Sequence, residues 1–267
     1  MPGQKVTPHK IQRYGWIPDL PDARDHLYAT PPSVLGALPP KVDMREQCPP
    51  VYDQGQLGSC TGNAIAAAVQ FGRMKENLPS KELVPSRLFI YYDERVIEHT
   101  TSQDSGAQIR DGIKSAAKQG VCFESGPQSW PYNIRNFAEE PPPPCYEAAL
   151  KNQIVQYSRL VPTPTQLKGC LAHGFPFVFG FTVYESFEGA DVARTGIVPM
   201  PGSDHAIGGH AVMAVGYDDS QQRFIVRNSW GPDWGQKGYC LMPYAYLTDT
   251  NLADDFWTIR MVETPIA

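Results

Sequence analysis

The chain has 267 residues and is short of several features that would mark common protein classes. Only 19% of it is charged, the formal net charge is −5, and Lys and Arg nowhere cluster. That balance argues against nucleic acid or an anionic membrane as a partner. No apolar run approaches the ~18 residues of a membrane span. The first thirty residues carry no apolar stretch with a small-residue cleavage site, the mark of a secretory leader. The compartment is left open. There is no glycine-rich phosphate loop, and no cofactor or metal is expected. Cysteines number six, too few for a disulfide-built scaffold of this length. None lie in a C-x-x-C pair that would hold zinc or run redox chemistry. If Cys60 is kept as a thiolate, five remain and at least one is unpaired, which leans towards a reducing setting.

Proline, by contrast, is plentiful at the start. Pro2, Pro8, Pro18, Pro21, Pro31, Pro32, Pro39 and Pro40 forbid a long helix and favour an extended strap over residues 1–40. Ile11, Tyr14, Trp16, Ile17, Leu20, Leu27 and Tyr28 give it apolar anchors that are costly to leave in water. The strap is expected to pack on the rest of the chain, residues 41–267.

Residues 41–150 read as mainly helical. Helices are predicted over Thr61–Lys75, near Ser86–Val96 and over Ala107–Gln119. The small residues of the first suggest a helix enclosed on most sides. Pro141–Pro144 reads as a hinge or surface loop. Residues 151–267 read as mainly β, with alternation over Phe177–Val183, His210–Tyr217 and Arg223–Asn228. A helical half followed by a β half predicts an α+β fold of two lobes with a cleft between them. A monomer is expected.

The chemistry begins at Gln54-Gly55-Gln56-Leu57-Gly58-Ser59-Cys60-Thr61. A glycine-containing turn runs into the buried helix, so Cys60 sits at or near a helix N-terminus, where free N–H groups favour a negative sulfur. Core filling is the plainer alternative for such a cysteine. The predicted hairpin turns near Asp219, and His210 and Asn228 lie equally far from it on either side. They should therefore be neighbours on one face. An Asn carbonyl can fix the tautomer of His and leave its other ring nitrogen for a thiol. His205, five residues upstream in a loop, is a rival base without a hairpin partner.

Three separated blocks resemble the papain family of cysteine peptidases: Gln54-Gly55-x-x-Gly58-Ser59-Cys60; Gly209-His210-Ala211-Val212 with Val215-Gly216-Tyr217; and Asn228-Ser229-Trp230-Gly231-x-x-Trp234-Gly235-x-x-Gly238-Tyr239. Gly120-Val121-x-x-Glu124 followed by Trp130-Pro131-Tyr132 is a weaker echo. The resemblance covers about residues 41–245 and is to bacterial members. It implies a two-lobed papain-like fold and thiol protease activity on peptide or protein substrates. Cys60 would be the nucleophile, His210 the base and Asn228 its orienter, shielded by Trp230. Gln54 and the Cys60 N–H would bind the oxyanion. Gly106, Gly209 and Trp230 would meet substrate.

Departures accompany it. The family usually has Cys where Leu57 stands, and the disulfide made there cannot form. Thr61 replaces a usual Trp. Ser105-Gly106 stands for a usual Gly-Gly, and Gly209 precedes the base where a polar residue is common. The strap is too short and too proline-rich to copy the family's helical pro-region. It is expected either to cover the cleft as a lid or to brace the back of the fold. A silent binding module and another thiol acyl transferase are the rival functions. The intact Cys60, His210, Asn228 and Gln54 oppose the first, and the Asn-Ser-Trp-Gly block opposes the second.

Overall fold

Alternating apolar residues in the second half of the chain build one antiparallel sheet. A computed structural model describes residues 11–78 and 83–262. The strap's first part, with Pro2 and Pro8, lies outside them. Among the described residues the strands are β1 (Lys41–Asp43), β2 (Ile154–Arg159), β3 (Phe177–Tyr184), β4 (Ala206–Asp218), β5 (Arg223–Arg227), β6 (Tyr239–Pro243) and β7 (Ala253–Val262). Their order is β2-β7-β3-β4-β5-β6, with β1 beside β4. The helices are α1 (Pro32–Leu35), α2 (Cys60–Lys75), α3 (Arg87–Ile97), α4 (Ile109–Lys118), α5 (Pro143–Ala149), α6 (Pro164–Ala172), α7 (Ala190–Thr195) and α8 (Tyr244–Thr248). This is the papain-like α+β arrangement: helices α2–α4 pack together, and α2 leans on β4 and β7 of the sheet.

The three predicted helices are α2, α3 and α4. Alanine and glycine let α2 be enclosed: every residue from Cys60 to Arg73 is buried. At Gly62 an added Cβ would stand 2.7 Å from the Arg87 carbonyl, so only glycine admits α3 this closely. Strand β3 lies between β7 and β4 with both faces covered, and Phe177, Val178, Phe179 and Phe181 are all buried.

Three readings of the sequence need correction. Pro141–Pro144 is not simply a loop, because Pro143 opens α5. Proline is tolerated there, since the first N–H groups of a helix have no partner within it. The β4–β5 hairpin is also offset: Met213 pairs with Arg227 where a turn centred on Asp219 would give Ile225. The actual turn closes at Asp218↔Arg223, with Gln222 at φ 53°, and the ladder slips between Ala214 and Gly216. Finally, β7 went unread, although it sits inside the sheet between β2 and β3.

Candidate active site

Cys60 is the first residue of α2 and fully buried. Its sulfur lies against the backbone N–H groups of Ala211, Gly15 and Thr61, which favour the thiolate. Burial outweighs them and pushes the Cys60 thiol up to about 12. Ala211 directly follows His210 on β4, so helix and sheet meet at this point.

His210 Nε2 lies 2.8 Å from Asn228 Oδ1, and both side chains are buried. The hairpin offset did not separate them. Asn228 follows the last residue of β5, and its amide reaches His210 diagonally. The backbone N–H of Ser229 donates to the same Oδ1 at 2.8 Å, fixing the amide's direction. The Trp230 ring lies over the imidazole at 5.2 Å between centroids and 32° between planes. Phe181 meets it edge-on at 5.7 Å. His205, the rival, is 86% exposed at its side chain and faces Glu185 at 3.8 Å.

Gln54 is fully buried. Its Nε2 donates to Leu57 O at 2.9 Å, and its Oε1 accepts from Ser229 Oγ at 2.6 Å. The Gln54 N–H also donates to Ser229 O at 2.9 Å. The loop before the cysteine is thus tied to the block after Asn228. The weaker echo in the sequence braces the same loop. Tyr132 Oη donates to Gln54 O at 3.0 Å, and Glu124 holds Arg87 at 2.6 Å. Arg87 in turn donates to Asp53 O at 3.0 Å. Neither Ser229 nor Arg87 was singled out as a functional residue from the sequence. Only their place within or beside the motif blocks could have drawn attention to them.

The described part of the strap crosses this site. Trp16 N donates to Gly209 O at 2.9 Å, Ala107 N to Gly15 O at 2.8 Å, and Ile17 N to Ala107 O at 3.0 Å. Gly106 has φ 75°, and a Cβ there would stand 2.4 Å from Gly15 O. A Cβ on Gly15 would stand 1.7 Å from Gly58 O. Tyr14 Oη donates to Glu188 Oε1 at 2.5 Å, and its ring meets His210 edge-on at 6.1 Å. Beside the strap an open cavity of about 530 Å³ remains between Asp104, Ser105 and Ile207, Gly208. Further along, Asp25 pairs with Arg110 at 2.6 Å.

A buried cysteine thus opens a helix that packs on the strand carrying His210, whose imidazole is hydrogen-bonded to Asn228. The model of the papain family cysteine proteases matches residues 38–256, and the chain belongs to that family. Its structure resembles that of xylellain, a cysteine protease from Xylella fastidiosa. The TM-score is 0.83 and the identity 46%, over 99% of this chain and 98% of that one. It is 44% identical to an uncharacterized peptidase C1-like protein, L477, of Acanthamoeba polyphaga mimivirus, over 96% of this chain and 89% of that one. It is also 29% identical to cathepsin B-like CP3 of Giardia intestinalis, over 75% of this chain and 68% of the relative. The protein is therefore a papain-like cysteine peptidase, a hydrolase of peptide bonds. The bacterial character read from its motifs agrees with the likeness to xylellain.

Proposed function

We propose that Cys60 is the nucleophile of this peptidase, His210 its base and Asn228 the group that orients that base. The hydrogen bond from His210 Nε2 to Asn228 Oδ1 supports this reading most directly. It presents Nδ1 as the nitrogen for the thiol. Cys60 Sγ attacks the peptide carbonyl as its proton passes to His210. His210 then protonates the leaving amine, and water hydrolyses the acyl-enzyme. The second N–H of Gln54 Nε2, beyond the one held by Leu57, and the Cys60 N–H receive the oxyanion. Gly106 and Gly209 offer their backbone to substrate, and Trp230 keeps water from the imidazole.

Residues 1–40 form a segment distinct from the catalytic domain at 41–267, and it restrains that domain. Its support is the strap's hydrogen bonding to Gly209 and Ala107, backbone that an extended substrate would use. On this reading the strap blocks the site and is not cut there. Gly15 turns its N–H to the sulfur and its carbonyl to Ala107, away from Gln54. The enzyme acts as a monomer on peptides or proteins. The test is hydrolysis of a peptide library by the full chain and by Cys60→Ala. Equal cleavage by both would sink the assignment of the nucleophile.

A further inference from the structure

Thr61 follows the nucleophile as the second residue of α2, at the place where the family usually has Trp. Its backbone N–H lies against the Cys60 sulfur. Its hydroxyl donates to Oε1 of Glu94, which α3 brings up behind it. One residue thus ties the turn that carries the thiol to a neighbouring helix.

Glu94 is fully buried, and among the described residues its Oε2 has no hydrogen-bond partner. Arg95, next to it in sequence, gives its guanidinium to the carbonyls of Tyr91, Thr101, Gln103 and Phe137 instead. Room for Oε2 comes from Gly112 on α4, where a Cβ would stand 2.4 Å from it. The packing therefore admits a carboxyl and places no cation on it. Burial lifts this carboxyl well above the usual carboxylate range. Glu98 on α3 and Asp111 on α4 add to the rise, and Thr61 and Arg95 oppose it. Glu94 is therefore an uncharged acid. Leaving its one O–H unpaired costs less than burying a bare carboxylate. Charge here matters for the sulfur, because a carboxylate at Glu94 would push the Cys60 thiol further up.

We propose that Glu94 is a positioning residue for Cys60. As an uncharged acid it holds Thr61, and so fixes the first turn of α2 without setting a negative charge behind the thiolate. A slackened turn would carry the sulfur and the Cys60 N–H off line together, and a misplacement of ~1 Å can cost ~10² in rate. The inference rests on the reading of Cys60 as the nucleophile.

The test uses the full-length chain. Glu94→Leu fills the space without an acceptor, while Glu94→Gln keeps the carbonyl oxygen and carries no charge. Glu94→Leu should lower kcat about tenfold or more with KM unchanged, and Glu94→Gln should restore it to within about twofold of wild type. Alkylation of Cys60 by iodoacetamide is followed across pH by mass spectrometry of its own peptide. The midpoint should rise by about half to one unit in Glu94→Leu, as the Thr61 N–H drifts from the sulfur, and stay in place in Glu94→Gln. Wild-type kcat in Glu94→Leu, an effect on KM alone, or a Glu94→Gln as slow as Glu94→Leu overturns the proposal. So does a midpoint that falls in Glu94→Gln, since that would reveal a charged Glu94 in the wild type. Should Glu94→Leu fail to fold, Thr61→Val and Thr61→Ser put the same question from α2. The first loses the hydroxyl and the second keeps it, and equal kcat in the two overturns the proposal. If Cys60→Ala still cleaves peptide, the catalytic reading fails, and the alkylation midpoints still decide whether Glu94 fixes Cys60.

Discussion

The backbone N–H of Trp16 donates to the carbonyl of Gly209 at 2.9 Å, one residue before His210. An extended strap is thereby hydrogen-bonded to the strand that carries the imidazole.

Gly15→Ala should open the site. The added methyl would stand 1.7 Å from Gly58 O, on backbone that cannot yield. Overpacking of this kind costs about 1–3 kcal/mol, so strap docking should weaken roughly tenfold or more. Iodoacetamide should alkylate Cys60 faster by that factor, and peptide turnover should rise. Unchanged alkylation would mean that the strap does not guard the thiol.

Asn228→Ala should lower kcat by about 5–150-fold, the range for leaving a buried polar group without its partner. The imidazole would keep its packing against Trp230 and Phe181. Substrate affinity should change little, because Asn228 lies behind the base. A fall in affinity with kcat intact would contradict the orienting role.

Ser229→Ala releases Gln54 Oε1 from its 2.6 Å hydrogen bond. Gln54→Ala should cost ~10²–10³ in kcat, as for other single oxyanion donors. Ser229→Ala should cost roughly a tenth as much in steady-state assays, because the amide is loosened but still present. If both variants lose equally, Ser229 has a part of its own beyond holding Gln54.

Strap docking should weaken as pH rises from about 4 to 7. Burial and the facing carboxylate of Asp19 raise Asp255 to about 7 in the docked state. Asp25, Asp254, Arg110 and Arg159 surround the pair, four carboxylates against two guanidiniums. A raised carboxylate favours the protonated, docked form. The stabilisation is full below the ordinary carboxylate range and is lost as pH climbs through the raised value. Tryptophan fluorescence or limited trypsin cleavage at Arg13 should report more release at pH 7.5 than at pH 5. Asp255→Asn should flatten the profile; a wild-type profile already flat would exclude this latch.

Which parts were legible follows from range. The enclosed α2 showed in its own small residues, because Ala and Gly at helical spacing say that neighbours come close. The side-chain bond between His210 and Asn228 was anticipated although the register was not: both lie near one end of one hairpin, and a slip of two residues keeps a side chain on its face. The seat of the Trp16 indole was invisible. It is built from side chains that Gly180 and Gly209 lack, and from a bulge at Asp255 in a strand without a clear period. Tyr14 and Trp16 showed as anchors, but what they anchor to is a matter of residues far along the chain.

Leu57 packs with Leu88, Tyr91 and Ala107, with Trp130, Tyr132 and Phe137 against them, where the family commonly places a covalent tie. All six cysteines are thiols. The loop that aims Cys60 is therefore held by burial and hydrogen bonds, with no disulfide, and assembling it requires no oxidant. Reductant strong enough to protect the nucleophile leaves the lobe around it untouched. Chain folding and catalytic readiness, which a disulfide would set at odds in their demand on redox potential, here ask for the same conditions.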